Sequence, residues 1–354
     1  MSHRLAFIVP GDPAQRTGGY LYDARIVHEL RRLGWRVEVH GLSGRFPDAD
    51  TTARDALQRT LAALPVGRRV VIDGLALGGL PEVAIEHSGR LALVALVHHP
   101  LADESGLDPV LRRCLLASER AALAAVRLAI TTSAFTARRL LDFGMRTERI
   151  RWVEPGVAPL SLAAADGEPP RLLCVGSLTP RKGQDVLVRA LARVRELPWQ
   201  CTLIGSRTRH PAYASAVAEL VRATGLEDRI QLAGECDDTA LHQAYAAADL
   251  FVLPSHHEGY GMVVAEALAA GLPVLSTTGG ALAATLPAGA GVAVPPGDVD
   301  ALAGALVDLL GDRSRRLQLR DGARRARTRL RAWPQAGEAF AAALASLADN
   351  PPDA

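Results

Sequence analysis

Short apolar runs alternate with helical-period segments along the whole chain. Residues 5–9, Leu-Ala-Phe-Ile-Val, form a continuous apolar run of strand length. Residues 20–33 then carry Leu21, Ile26, Val27, Leu30 and Leu33 at helical spacing, and Gly34 stops the helix. The strand signal returns at 36–40, 69–73, 91–97, 128–132 and 150–154, with helices predicted over 81–87, 108–126 and 135–143. Asp108 and Pro109 supply the cap and first turn of the longest of these helices. Residues 155–170 are rich in proline, glycine and small residues and predict a linker. After it the pattern restarts, with strands at 171–176, 200–204, 230–232, 250–253 and from 274. Helices are predicted over 184–196, 213–224, 239–247, 261–270, 301–310 and 337–347. Unbroken apolar strands separated by helices belong to parallel sheets covered on both faces. The fold class is therefore α/β, with two Rossmann-like doubly wound domains.

One stretch, 249–276, gathers the most chemistry. It reads strand, polar loop, helix, strand, with Glu258 in the loop and Glu266 eight positions on in the helix. Ligands of open α/β sheets bind at the carboxyl ends of the strands. Loop glycines let backbone N–H groups approach an anion at a helix N-terminus. The stretch suits a ligand carrying both phosphates and hydroxyls; a plain crossover with solvated glutamates is the competing reading.

Charge sharpens this picture. Lys+Arg 40 against Asp+Glu 38 leaves a net charge of +2, which gives no reason to expect nucleic acid. Of those 40 basic residues one is lysine, Lys182. It follows Arg181 in the turn Ser-Leu-Thr-Pro-Arg-Lys-Gly, just before a predicted helix. Point charge, guanidinium fork and helix dipole then converge on an anion. No G-K-[ST] follows, so this is not a Walker A loop. Gly18-Gly19 open the first predicted helix and serve either turn geometry or a phosphate cradle. His98-His99-Pro100 end the strand at 91–97, where a histidine is either a site residue or a partner of a backbone carbonyl.

The remaining features exclude more than they assign. Cys114, Cys174, Cys201 and Cys236 form no C-x-x-C pair, which fits buried thiols in a reducing compartment. No apolar run approaches about 20 residues, so no membrane span is expected. A strand begins within five residues of Met1, with no signal-peptide pattern. Residues 313–331 hold nine arginines and read as a solvated helix with Leu317, Leu319 and Leu330 toward the core. No D-x-D motif ends a strand, although Asp237-Asp238 are adjacent.

Gly18-Gly19, Gly176-x-x-x-Pro180-Arg-Lys-Gly183 and Glu258-Gly-Tyr-Gly-x-x-x-x-Glu266-Ala-x-Ala-x-Gly-x-Pro-Val together resemble glycosyltransferase family 4, the retaining GT-B enzymes of the glycosyl transferases group 1. The resemblance spans nearly the whole chain. It implies a GT-B fold, two Rossmann-like domains with a cleft between them. An acceptor-side domain would cover 1–160, with a C-terminal helix, 335–350, crossing back to it; a nucleotide-sugar domain would cover 168–334. It implies transfer of a sugar from a nucleoside diphosphate sugar to an acceptor, with retention and with no metal or other cofactor. On the matching positions, Glu266 would bind the ribose hydroxyls and Glu258 would stand beside the transferred sugar. The backbone of Gly259, Tyr260, Gly261, Met262 and Val263 would face the sugar and diphosphate. Lys182 would lie on the diphosphate, with Gly176 in the same motif. His98, or His99 in the alternative register, would approach the donor sugar. Gly234, Cys236 and Asp238 would border the base, and Gly19, after Gly18, would lie close to the diphosphate. Many members carry arginine where this chain has Ser177; Arg181 is the candidate replacement charge. His98, Glu258, Arg181 and Lys182 are thus the catalytic candidates.

The acceptor, whether glycan, lipid or small molecule, is unreadable, as are the donor base and sugar. The expected location is the cytoplasm, either free or peripheral at the inner face of the membrane. Two alternatives remain. One is a non-catalytic nucleotide-sugar-binding protein of the same fold. The other is a Rossmann-type dehydrogenase or epimerase, disfavoured because no G-x-G-x-x-G follows either opening strand.

Overall fold

The computed structural model describes residues 3–348. Among them, contacts divide the chain into two compact units. The first runs to Gly156 and resumes at Arg331; the second is Val157–Leu330. Each unit holds one six-stranded sheet in which every paired strand is parallel.

The first sheet contains β1 (Arg4–Pro10), β2 (Arg36–Leu42), β3 (Arg69–Asp73), β4 (Ala92–Val97), β5 (Leu128–Thr131) and β6 (Ile150–Trp152), in the order β2-β1-β3-β4-β5-β6. The second contains β7 (Arg171–Val175), β8 (Gln200–Ile204), β9 (Ile230–Gly234), β10 (Leu250–Leu253), β11 (Val274–Thr277) and β12 (Gly291–Val294), in the order β12-β11-β10-β7-β8-β9. In both sheets the strand order reverses beside the opening strand, between β1 and β3 and between β7 and β10. Such reversals splay the flanking helices apart and open a crevice at the strands' carboxyl ends. The central strands are buried throughout, as Leu93–Leu96 and Leu250–Leu253 illustrate. Each fully buried aliphatic or aromatic side chain contributes about 1.5–3 kcal/mol relative to exposure. That is why these runs read as continuously apolar rather than alternating.

Several elements lie outside the sequence reading. The helix Thr51–Ala62 packs Ala53, Ala56, Leu57 and Leu61 inward, with Asp50 capping Ala53 N–H at 2.8 Å. Its stripe is half alanine, which hid it. β12 is a four-residue edge strand between Gly and Pro, too short to signal itself. The segment after Gly156, expected to be a linker, has no regular structure yet is pinned to the second unit. Ala163 N–H donates to the Ala270 carbonyl at 2.8 Å, and buried Asp249 accepts from Gly167 N–H (2.8 Å) and Arg171 N–H (2.7 Å).

The last long helix is Trp333–Ala345, opening four residues before the expected start because Pro334 fits its first turn. It lies on the helix Gly18–Arg32: Gly337 meets Glu29 so closely that an added methyl would overlap it, and Trp333 sits 6.0 Å from Tyr22, ring to ring. The arginine-rich segment forms the helix Arg313–Arg327, buried along Leu319, Gly322, Ala323 and Ala326. Some of its arginines act locally. Arg316 caps the preceding helix through the Leu309 carbonyl (2.6 Å), and Arg327 holds the Leu160 carbonyl (2.7 Å).

Candidate active site

In the second unit, the switch point between β7 and β10 gathers the sequence's central motifs. After β7 the chain makes a 3-10 turn, Pro180–Lys182, and enters the helix Gln184–Arg193 through Gly183. Gly183 adopts φ +66°, and a side chain there would collide with the Pro254 carbonyl oxygen. Only glycine lets the turn lie this close to the loop after β10. Gln184 completes the turn, donating from Nε2 to the Gly176 and Ser177 carbonyls, each at 3.2 Å. The loop after β10 enters the helix Met262–Ala269 through Gly261, at φ +93°.

These two loops bring Arg181, Lys182 and Glu258 together. Lys182 Nζ lies 2.6 Å from Glu258 Oε1, and Arg181 Nη1 lies 3.2 Å from Oε2. Ser255 Oγ donates to Oε1 at 2.7 Å, and Arg181 also reaches the His257 carbonyl at 2.7 Å. Glu258 is buried, with 6 % of its surface exposed. Burial by itself would raise its pKa; Lys182 and Arg181, with the hydrogen bonds from Lys182 and Ser255, overcome that and hold it at about 2. Two cations face one carboxylate, so the cluster retains one excess positive charge at neutral pH. Its surroundings add the positive ends of two helices.

Glu266 takes part in a different contact. Its Oε2 accepts the Tyr245 hydroxyl at 2.8 Å. Tyr245 is buried on the helix Asp238–Ala247, which begins just beyond β9. Burial, reinforced by Glu266, pushes the Tyr245 phenol well above its ordinary range, so it stays a donor. Gly234 ends β9, and Cys236 packs against the same apolar cluster as Tyr245. Asp237 caps that helix by accepting Ala240 N–H at 2.8 Å, a local role for one member of the acidic pair, with Asp238 in the first turn.

In the first unit, Gly18 and Gly19 form the first turn of the helix Gly18–Arg32. They are not equivalent. A methyl on Gly18 would meet open space, whereas one on Gly19 would lie 3.3 Å from the His98 ring. His98 follows β4, and its Nε2 is 3.1 Å from Asp23 Oδ1 and 3.6 Å from Asp73 Oδ2. These three groups are of the types that hold metal ions and lie within 4.8 Å of one another. Here, however, the ring nitrogen that a metal would take is the hydrogen-bond partner of Asp23. His99 pairs locally with Glu104 at 3.1 Å. The 3-10 turn Leu101–Asp103 that follows is fixed by Glu119, whose carboxylate accepts Leu101 N–H (2.7 Å) and Ala102 N–H (2.9 Å).

Sequence reasoning missed Ser255, Tyr245, Gln184, Asp23 and Asp73. Asp73 ends β3, so the rule that pointed to His98 would also have found it. Asp23 lies within a helix, where no spacing marks it.

The family model for Glycosyl transferases group 1 matches residues 169–312, which lie wholly in the second unit. A D-inositol 3-phosphate glycosyltransferase of Kineococcus radiotolerans is 34 % identical over 278 residues, covering 70 % of this chain and 62 % of that protein. The chain thus spans less than two thirds of this relative. Among solved structures, the sucrose-phosphate synthase of Thermosynechococcus elongatus superposes with a TM-score of 0.82 at 23 % identity, covering 98 % of this chain and 99 % of that one. HepE of Anabaena superposes with a TM-score of 0.75 at 18 % identity, covering 96 % and 99 %. The chain has the two-sheet GT-B fold of these proteins.

Proposed function

We propose that the chain is a retaining, metal-independent glycosyltransferase that takes a sugar from a nucleoside diphosphate sugar. The observation that carries this reading is the Arg181–Lys182–Glu258 cluster at the β7/β10 switch point. When the glycosidic bond of the donor breaks, negative charge builds on the diphosphate. The excess cation of the cluster and the helix N-termini beside it would stabilise that charge. Arg181 supplies a second cation two positions before the Gly183 turn, which offsets serine at position 177.

Glu258 acts in this scheme as a fixed charge and not as a nucleophile. Oε1 is held by Lys182 and Ser255 and Oε2 by Arg181. A carboxylate with both oxygens engaged and a pKa near 2 is a weak base. It is suited to orient Lys182 and Arg181 and to favour positive character on the transferring sugar. Glu266, steadied by Tyr245, would take the ribose hydroxyls, and Gly234, Cys236 and Asp238 would border the base. Gly19 would give the diphosphate close backbone approach, and His98 would attend the donor sugar.

Relatives and neighbours guide the choice of substrates. HepE has been solved with UDP and glucose, and the Kineococcus relative is named for an inositol phosphate acceptor. A UDP-sugar donor and a phosphorylated polyol acceptor are the first pair to try. No helix among the described residues is long and apolar enough to cross a membrane. We place the reaction in the cytoplasm, at the membrane face where the acceptor is a lipid.

The test is a thermal-shift screen of UDP-, GDP- and ADP-sugars in EDTA, followed by nucleoside diphosphate release with candidate acceptors. Stabilisation by one nucleotide series, and turnover lost in Lys182→Ala with the fold intact, is the expected result. Wild-type turnover in Lys182→Ala sinks the site assignment. Tight NAD(H) binding with no response to any nucleotide sugar sinks the function.

A further inference from the structure

The first unit carries a charged cluster whose carboxylates the donor-site reading does not use. The His98 ring meets two of them on one nitrogen, Asp23 Oδ1 at 3.1 Å and Asp73 Oδ2 at 3.6 Å. A carboxylate only accepts hydrogen bonds, so Nε2 carries the proton wherever Asp23 is ionised; burial, with Asp73 beside it, raises Asp23 to about 7, against the pull of His98. Both carboxylates are buried, at 3 % and 4 % exposure. Asp73 has a second obligation, because its Oδ1 accepts Leu75 N–H at 2.7 Å at the end of β3. Asp23 has none: its Oδ2 is buried with no hydrogen-bond partner. Asp23 thus buries its carboxylate between the His98 imidazole and the Asp73 carboxylate, and its Oδ1 takes the hydrogen bond of the imidazole.

The neighbours leave the ring as the balancing cation. Tyr22, on the same helix as Asp23, packs edge-on at 5.5 Å between ring centroids. Burial, then the nearby Asp23, push its phenol well above the usual range, and its hydroxyl donates to the Val153 carbonyl at 2.9 Å. Tyr22 is therefore neutral; Arg331 exerts an opposing pull on it. Thr132 adds only a hydroxyl, donating to the His98 carbonyl at 3.3 Å. Gly19 contributes backbone alone against the ring face. Burial opposes charge on His98, but Asp23 and Asp73 outweigh it and raise the imidazole. Burial favours a protonated Asp23, and the His98 ring is the neighbour that draws it toward the charged form.

We infer that Asp23 is a positioning residue which, with Asp73, clamps His98 by Nε2 as an imidazolium. The ring's remaining nitrogen, Nδ1, is then always a donor. A histidine of this kind presents a fixed positive charge at the carboxyl end of β4. An ordinary histidine would switch its charge near neutrality. The kinetic arm below rests on the proposed role of His98 at the donor; the titration arm does not.

The experiment is an NMR titration of histidine-labelled protein, with the His98 signal assigned by its loss in His98→Gln. In the wild type the ring should stay protonated to about pH 8.5, well beyond the usual histidine range. In Asp23→Asn the midpoint should fall by at least about one pH unit, a tenfold weaker hold on the proton, and Asp23→Glu should restore most of it. In turnover, Asp23→Asn should lower kcat about twofold or more at about pH 9 and hardly at about pH 6, with donor KM unchanged. A wild-type midpoint near the ordinary value, or one that Asp23→Asn leaves in place, overturns the inference. So does a melting temperature raised by Zn²⁺ in the wild type and not in Asp23→Asn, since an ion would then replace the proton. If no nucleotide sugar is turned over, the function fails while the titration still decides the clamp.

Discussion

Replacing Glu258 by glutamine keeps the shape of the side chain and removes its charge. The consequence can be worked from the contacts. The carboxylate is held at a pKa of about 2 against an ordinary 4.5, so the folded state favours its charged form. At about 1.4 kcal/mol per pH unit, that preference is worth about 3 kcal/mol at neutral pH. The figure agrees with the lower end of the roughly 3–5 kcal/mol seen when one partner of a buried ion pair is removed. It belongs at that end because Lys182 and Arg181 keep 16 % and 21 % of their side chains in solvent. Since the folded pKa is depressed, the contribution is complete above the ordinary carboxylate value. It fades as pH falls from there through about 2. Urea melts of wild type and Glu258→Gln should therefore differ by about 3 kcal/mol at neutral pH, and the gap should narrow steadily below about pH 4.5. Turnover should drop by about 100-fold or more, as when a fixed charge is removed from a developing ion. A gap under about 1 kcal/mol at neutral pH, or one that holds constant down to about pH 3, refutes the reasoning.

Two further outcomes test the other positions. Gly19→Ala should cost turnover while Gly18→Ala leaves it near wild type, because only the first places a methyl against the His98 ring at 3.3 Å; parallel kinetics of the two variants check this. Tyr245→Phe removes the 2.8 Å hydrogen bond to Glu266 and should raise donor KM by about tenfold or more, the value of about one hydrogen bond to a charged group, with kcat less affected. An unchanged donor KM there would separate Glu266 from the ribose.

The parts of this molecule that were legible in sequence are those where one physical demand sets the residue type. Strands buried on both faces must be apolar along their length, so residues 91–97 and 250–253 announced themselves. The Gly183 turn must be glycine for its backbone conformation, and the lone lysine beside it stood out against 39 arginines. What stayed hidden depends on tertiary neighbours. Ser255, three positions before Glu258, is an ordinary loop serine until the chain folds back and its hydroxyl meets the carboxylate. Asp23 looks like any helix acid until β3 and β4 bring Asp73 and His98 to it. The 155–170 segment read as a linker from composition alone, because nothing local reveals that Asp249, far along the chain, accepts from Gly167 N–H within it and from Arg171 N–H just after it.

Having a single lysine gives the molecule a built-in chemical reporter. An amine-selective acylating reagent meets one side-chain amine in this sequence, and that amine is the one held 2.6 Å from Glu258. With the nitrogen held against Glu258 and largely out of solvent, its labelling should be slow. Its rate then becomes a gauge of the cluster itself: quickened when Glu258 is neutralised, and suppressed further when a bound diphosphate covers the nitrogen. A mass measurement on the peptide that carries Lys182 would read it out apart from any label on the α-amine, with no need to know the acceptor.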